Sequence, residues 1–94
     1  MPRLIWLPEA LRDLDRLHRF LASKSPTAAR RAAASILDGA DELERNPRLG
    51  RPLDEHRREW FVPFGVGAYV LRYRIDPDDN PVIIRVWHSR EDRS

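Results

Sequence analysis

The chain has 94 residues, which fits one domain and is too short for two. It contains no cysteine, which excludes disulfide scaffolds, zinc–thiolate sites and thiol nucleophiles. Lys24 is the only lysine among 17 basic residues, and 15 acidic residues leave a net charge of only +2, which excludes a histone-like polycation. The arginine excess has two explanations: a GC-rich coding sequence, or arginines that bind phosphate or carboxylate through paired hydrogen bonds.

No apolar run approaches the length of a membrane span, which needs about 20 residues. The apolar start at residues 1–7 is too short for a signal peptide and is interrupted by Pro8. We therefore expect a cytoplasmic protein without membrane contact. The acidic segment at residues 76–79 lacks the glycine and the distal glutamate of a calcium loop, so we expect a solvated turn, no metal and no cofactor.

The first two elements are predicted to be a short strand and a helix. Residues 3–7 form an apolar run that predicts a strand near a sheet edge. Pro8 suits the first turn of a helix, because its missing N–H costs nothing there. Over residues 9–23 leucines recur at helical spacing and predict a buried stripe, with charged residues such as Asp13 on the opposite face. The stripe consists of Leu11, Leu14, Leu17 and Leu21.

A second helix is predicted directly after the first. Ser25 is a good N-cap and Pro26 a good first helical residue. The helix extends to about Arg45, where Asn46 and Pro47 end it. Its apolar stripe begins with alanines, which allow two helices to approach closely. The two helices therefore form an antiparallel hairpin.

Three strands are predicted in the C-terminal half, because the apolar period changes there from helical to alternating. A loop at residues 47–56 precedes them, and residues 90–94 are predicted to be a frayed tail. Consecutive strands joined by short loops are antiparallel. The strands are predicted at residues 57–62, 68–75 and 82–88, with a turn at residues 76–81.

Alternation assigns the strand side chains to two faces. In the middle strand the residues predicted to face the helices are Tyr69, Leu71, Tyr73 and Ile75. In the last strand one side is predicted to carry Val82, Ile84, Val86 and His88, and the other Ile83, Arg85 and Trp87.

These elements predict an α+β fold in one domain spanning residues 1–94. An N-terminal strand precedes a helical hairpin that packs on one face of a mainly antiparallel sheet, in the order β-α-α-β-β-β. The opposite face is predicted to carry arginines and Trp87, with Arg58 or Trp60 as a further candidate. Neighbouring like charges repel, so the arrangement is costly without carboxylates or an anionic partner nearby. We therefore predict a function for at least one of Arg72, Arg74 and Arg85.

Several segments together resemble the ParE/RelE superfamily of bacterial toxins. The start WLPEA at residues 6–10 is similar to that family's opening, and Pro26 with Ala29 is similar to the start of its second helix. The loop at residues 43–52 also resembles the family. The similar closing segments are residues 58–59, 69–74 and 84–90. The resemblance covers nearly the whole chain, in order and with close spacing.

The resemblance implies the toxin of a type II toxin–antitoxin pair, neutralised by a small antitoxin whose flexible segment wraps around it. It also implies a helical hairpin against an antiparallel sheet, in agreement with the elements above. Within the superfamily, ParE-like members act on DNA gyrase, whereas RelE-like members cleave mRNA on the ribosome. A third possibility is a degenerate toxin that survives as a partner-binding module or an inert remnant.

The residues favour the gyrase branch. RNA cleavage through the 2′-hydroxyl needs a general base, a general acid and cations for the phosphate. His88 is the only histidine near the predicted arginine face, and no tyrosine follows Tyr73, although RelE-like nucleases often carry one near the C-terminus. The long helical hairpin and the scarcity of lysine also look more like the ParE branch. If the chain is a nuclease, its candidate catalytic residues are Arg58, Arg72, Arg85 and His88.

Two sets of contact residues are predicted. The target-binding set is Arg58, Arg72, Arg74, Arg85, Trp87, His88 and Arg90. The antitoxin-binding set lies on the first strand and the hairpin, where a flexible segment can add a strand or lay down a helix, and consists of Leu4, Trp6, Leu14, Leu21 and Leu37. Each apolar residue fits the core equally well, and His88 also fits a half-buried ring bonded to backbone. The same apolar surface also suits a homodimer or a toxin–antitoxin hetero-oligomer.

Overall fold

A computed structural model describes residues 2–91 of the chain. Two antiparallel helices cover one face of a five-stranded sheet, which confirms the predicted α+β fold and its element order. No helix within residues 2–91 is long and apolar enough to cross a membrane. The elements are β1 Ile5–Trp6, α1 Pro8–Ala22, α2 Pro26–Arg45, β2 Arg51–Pro52, β3 Arg58–Phe64, β4 Gly67–Ile75 and β5 Pro81–His88.

The helix boundaries follow local chemistry. Proline occupies the first turn of both helices, where no intrahelical N–H is needed. The Ser25 hydroxyl accepts a hydrogen bond of 3.2 Å from the Ala28 N–H and caps α2, as predicted. Helix α2 ends at Arg45, and Asn46 takes an extended conformation before Pro47.

The sheet order is β1-β5-β4-β3-β2, so the predicted edge position of the first strand is confirmed. Strand β1 pairs with β5 in parallel, and every other pair is antiparallel. The three C-terminal strands are observed within two residues of their predicted ends. The short strand β2 lies in the predicted loop, because two residues are too few to show an alternating pattern.

The buried stripe of α1 is rotated from the one predicted. Ala10, Asp13 and Leu17 are its buried residues, whereas Leu11 is exposed. The prediction that Asp13 lies on the solvated face is therefore wrong. The prediction for β4 is confirmed, since Tyr69, Leu71 and Tyr73 belong to the core and Ile75 packs against it. On α2, Gly39 lies so close to Val62 that a Cβ there would overlap its methyl group, which allows the helix to pack tightly on β3.

A β-bulge in β5 changes which side chains face the helices. Arg72 pairs with Arg85, but the next residue, Tyr73, pairs with Ile83, so Ile84 is the extra residue. Ile83 therefore joins Tyr73 in the core, and Val82 pairs with Arg74 instead. The predicted sides of Val82 and Ile83 are wrong for this reason. The predicted sides of the sheet for Arg85, Val86, Trp87 and His88 are confirmed.

The last strand ends in a turn at its C-terminal end. The Glu91 N–H donates to the His88 carbonyl at 2.9 Å, and the Glu91 carboxylate accepts from the His88 N–H at 3.0 Å. The rest of the predicted frayed tail, residues 92–94, lies outside the described residues.

Candidate functional site

The sheet face turned away from the helices carries the candidate site, and we call it the open face. The strand pairings bring Glu59 opposite Arg72, and Arg72 opposite Arg85. Side chains of paired residues share a face, so these three form one row. The open face consists of Arg51, Glu59, Phe61, Pro63, Ala68, Val70, Arg72, Arg74, Val82, Arg85 and Trp87.

The arginines of this row are paired with carboxylates. Arg72 donates from its Nε and Nη2 to one oxygen of Glu59, at 3.1 and 2.7 Å. Arg51 approaches the other oxygen of Glu59 at 3.5 Å. Glu59 is only 6% exposed, because the strands and these two guanidinium groups surround it. The Glu59 carboxylate therefore forms ion pairs with both Arg72 and Arg51.

Arg85 is bound by a carboxylate that comes from helix α1. Its Nε and Nη2 donate to the two oxygens of Asp13 at 2.8 and 3.1 Å, which is a bidentate pair. The Val86 N–H also donates to Asp13 at 2.8 Å, at the β5 edge beyond the short strand β1. Arg16 is a third, more distant partner at 3.4 Å. Asp13 thus joins the helical hairpin to the open face.

Two aromatic rings lie beneath these guanidinium groups. Arg72 lies over the Trp87 ring at 4.9 Å, and Arg51 lies over the Phe61 ring at 5.0 Å. Val70 lies between the two rings in the strand register and is buried. The open face therefore has an apolar row, Phe61, Val70 and Trp87, beside a charged row, Glu59, Arg72 and Arg85. Guanidinium groups cover both aromatic rings of the apolar row.

The predicted repulsion between Arg72 and Arg85 is relieved inside the chain. Each guanidinium has its own carboxylate, so the row needs no external anion for its stability. Arg74 differs, since within residues 2–91 it joins no ion pair and is exposed.

Three residues that were predicted on or near the arginine face lie away from the open face. Arg58 and Trp60 pair with Tyr73 and Leu71, so they lie on the helix side, and their predicted place on the open face is wrong. The Arg58 Nη1 donates to the carbonyls of Gly50 and Arg48, at 2.7 and 3.3 Å, which fastens the loop before β2.

His88 also lies on the helix side, opposite Tyr69, so its predicted nearness to the arginine face is wrong. Its ring contacts the Tyr69 ring edge-on at 5.0 Å, and its Nε2 lies 3.4 Å from the Phe64 carbonyl oxygen. Its Nδ1 accepts a hydrogen bond from the Arg90 N–H at 3.2 Å. His88 is therefore a half-buried ring bonded to backbone, which is the simpler of the two interpretations.

Three of the predicted antitoxin-binding residues line two grooves on the helix side. Leu14 and Leu37 line a groove of about 270 Å³ between α1 and α2, whose floor is built by alanines of α2. Leu21 lines a larger groove of about 680 Å³ between α1 and the β3–β4 turn. Leu17 and Tyr69 line both grooves, so the two adjoin.

The other two residues of that set lie at the β1 edge of the sheet. Leu4 and Trp6 pack against the core and are partly buried. The Leu4 N–H donates to the Glu44 carboxylate at 2.8 Å, which ties the edge to α2. The structure therefore places the five residues at two separate locations.

The partners Asp13 and Glu59, and the ring Phe61, were missed as site residues. Glu59 and Phe61 share one parity in β3, and that alternation could have revealed them. Asp13 falls on the same helical stripe as Ala10 and Leu17, which could have revealed an acidic side chain in a buried row. The larger groove also contains the exposed side chains of Phe20 and Val66, which no periodicity in the sequence brings together.

Acid sensitivity should depend on Asp13. Burial alone raises its pKa, but hydrogen bonds from Arg85 and the Val86 N–H outweigh that effect, so the pKa in the folded chain lies below the ordinary 3.8. A depressed pKa means that the stabilisation is present above about pH 4 and is lost as the pH falls through the folded value. Urea unfolding at about pH 7 and about pH 3 should therefore show a smaller acid loss for Asp13→Asn than for Asp15→Asn. Equal losses in the two variants contradict this assignment.

Comparison with known proteins gives consistent similarities. The family model described as the ParE toxin of the type II toxin–antitoxin system parDE matches residues 4–93. The chain is 45% identical over 86 residues to "Toxin RelE3" of Caulobacter vibrioides, covering 92% of each chain. It is 37% identical over 84 residues to "Toxin RelE1" of the same organism, covering 89% of each. A chain of the "Chromosomal ParDE TA system from P. aeruginosa" has the same fold, with a TM-score of 0.72, 21% identity and coverage of 94% of this chain and 96% of that one.

Proposed function

The chain belongs to the ParE toxin family of type II toxin–antitoxin systems, and on this premise we propose that it arrests growth by binding DNA gyrase and blocking its cycle. It is the toxin component of a type II module, and its partner is an antitoxin. In this proposal the toxin is a binding inhibitor and catalyses no reaction. The target-binding surface is the open face, with Arg72, Arg85 and Trp87 at its centre and Arg74 at its margin. Arg90, which also belongs to the predicted target-binding set, lines the larger groove on the helix side instead.

The observation that carries this proposal is the chemistry of the open face. Among residues 2–91, no histidine or tyrosine lies there: His88 and both tyrosines are on the helix side. The carboxylates that do lie near it, Glu59 and Asp13, are bound to guanidinium groups. Arg85 itself stays protonated, because Asp13 raises its pKa further above an already high value. A surface of this kind has no group suited to remove or supply a proton at neutral pH.

A second candidate is a ribosome-dependent mRNA endonuclease. It is favoured by one finding, that the two relatives named above carry the name RelE. Its cations would be Arg72 and Arg85, with Arg58 and His88 as the other candidate catalytic residues. Because His88 lies on the other side of the sheet from Arg85, this mechanism requires the acid–base group to come from the ribosome.

Induction of the toxin in cells without antitoxin separates these candidates. Gyrase inhibition predicts growth arrest with altered plasmid supercoiling and intact translated mRNA. The nuclease predicts codon-positioned cuts in translated mRNA, which Arg85→Ala removes. Normal growth at high toxin levels indicates the inert remnant instead. The toxin would act in the cytoplasm, where both candidate targets are found.

We further propose that the antitoxin occupies the two adjoining grooves on the helix side. Leu37 is 51% exposed beside the alanine floor, and Phe20 is 61% exposed beside the larger groove. An amphipathic segment can bury both, and its carboxylates can reach Arg16 and Arg90 at the far end. Leu4 and Trp6 would serve an extended continuation of that segment along the β1 edge. A homodimer through the groove would compete with the antitoxin.

Leu37→Asp is expected to weaken antitoxin binding at least about tenfold, because it places a charge on the apolar groove. Calorimetric titration of the toxin with its cognate antitoxin measures the effect. Leu53→Asp is the matched control, since Leu53 is similarly exposed, at 40%, but lines neither groove. Equal loss of affinity in both variants contradicts the groove assignment.

A further inference from the structure

The open face has the residue types of a nucleic-acid-binding surface, arginines and aromatic rings, but their arrangement does not suit nucleic acid. Arginines beside aromatic rings are typical of single-strand binding, where phosphates contact the cations and bases stack on the rings. Here the guanidinium donors that would contact phosphate already donate to carboxylates, through the Arg72–Glu59 and Arg85–Asp13 pairs. These N–H groups of Arg72 and Arg85 therefore already form hydrogen bonds within the chain.

The aromatic rings are also covered from within. Arg72 lies over Trp87 and Arg51 lies over Phe61, at 4.9 and 5.0 Å. A base that stacks on either covered ring surface must first displace a guanidinium group. Displacing Arg72 also breaks its two hydrogen bonds to Glu59, so a base can stack on that surface of Trp87 only if the Arg72–Glu59 ion pair is lost.

The two carboxylates oppose a phosphate chain directly. A phosphodiester that follows the row of Arg51, Arg72 and Arg85 passes beside the charges of Glu59 and Asp13, which repel it. The same row suits a protein partner, because arginine and aromatic side chains dominate protein interfaces and a protein surface supplies hydrogen-bond acceptors and apolar groups without a continuous negative chain.

We infer that Glu59 and Asp13 are specificity-determining residues, which neutralise the arginine row and make the open face a surface for a protein partner by rejecting phosphodiester backbone. This inference rests on the proposed function, since it explains why a face rich in arginine serves a toxin that binds a protein. The two carboxylates repel the phosphodiester backbone, and repulsion of a competing ligand is a general way to obtain specificity.

The test removes each carboxylate charge while keeping the side-chain shape. The variants are Glu59→Gln and Asp13→Asn, and the controls are Glu55→Gln and Asp15→Asn, which remove exposed charges of the same sign. The probe is a fluorescein-labelled single-stranded RNA of about 12 nucleotides, followed by fluorescence anisotropy at about 50 and about 200 mM salt. Circular dichroism melting checks that each variant is folded.

We expect Glu59→Gln to bind the RNA at least about tenfold more tightly than the wild type and the Glu55→Gln control, with a steeper salt dependence. Asp13→Asn should give a gain in the same direction over Asp15→Asn. Folded Glu59→Gln with the affinity of its control overturns the inference, and so does a wild type that binds RNA as tightly as the variants.

If Asp13→Asn fails to fold, Glu59→Gln decides the question. We expect Glu59→Gln to fold, because the amide oxygen of glutamine can still accept a hydrogen bond from Arg72. Failure of the proposed function has a separate signature. Wild-type toxin that leaves gyrase supercoiling intact refutes the gyrase target, whatever the RNA affinities are. Unchanged RNA affinity in the folded variants refutes the inference, whatever gyrase does.

Discussion

Tyr73→Phe is expected to destabilise the fold by about 2–3 kcal/mol, although it removes a single oxygen atom. The Tyr73 hydroxyl donates to the Pro47 carbonyl at 2.6 Å and accepts from the Gly50 N–H at 2.8 Å, and both hydrogen bonds are buried. Phenylalanine leaves two buried backbone groups without partners. The midpoint of urea unfolding at neutral pH measures the loss.

Tyr69→Phe is the matched control for this prediction. Tyr69 lies four residues before Tyr73 on the same face of β4 and is also buried. Its hydroxyl makes no hydrogen bond within residues 2–91. Its removal should change the free energy of unfolding by less than about 0.5 kcal/mol. If the two variants lose equal stability, the Tyr73 hydroxyl does not anchor the loop at residues 47–50.

Asp13→Ala has a similarly large expected effect, a loss of about 2–3 kcal/mol. The substitution leaves the buried Val86 N–H without an acceptor and releases Arg85 from its bidentate pair. We base the magnitude on the buried hydrogen bond, because the Arg85 side chain is 43% exposed and solvent screens much of the ion pair. Urea unfolding again measures the change.

Asp15→Ala separates the buried role of Asp13 from the general effect of removing an acidic residue from α1. Asp15 pairs with Arg19 at 3.1 Å on the exposed surface, and such helical pairs contribute about 0.2–0.5 kcal/mol. An Asp13→Ala variant that is no less stable than Asp15→Ala would show that the link between α1 and β5 carries little free energy.

The sequence predicted those parts of the fold that depend on local chemistry. Pro8, Ser25 and Pro26 mark helix starts by their backbone and capping properties, and the structure places them there. Alternation in β4 assigned Tyr69 and Tyr73 to the core correctly, because a regular strand has a strict period of two. These features need no knowledge of which elements meet.

Features that depend on tertiary contacts could not be predicted in the same way. The bulge at Ile84 lies in an apolar run without glycine, so nothing in the local sequence indicates the extra residue. The sequence left open whether nearby carboxylates or an external anion neutralise the charged row, because Asp13 and Glu59 are distant in sequence from Arg85 and Arg72. Their pairing depends on how α1 docks at the β5 edge and on the register of β3.

We propose above all that this toxin inhibits gyrase by binding it. The most direct measurement is ATP-dependent supercoiling of relaxed plasmid by purified gyrase, titrated with folded wild-type toxin. We predict that the toxin blocks supercoiling and that the cognate antitoxin restores it at equal concentration. Full supercoiling at every toxin excess, with a toxin that still arrests growth, would contradict the account.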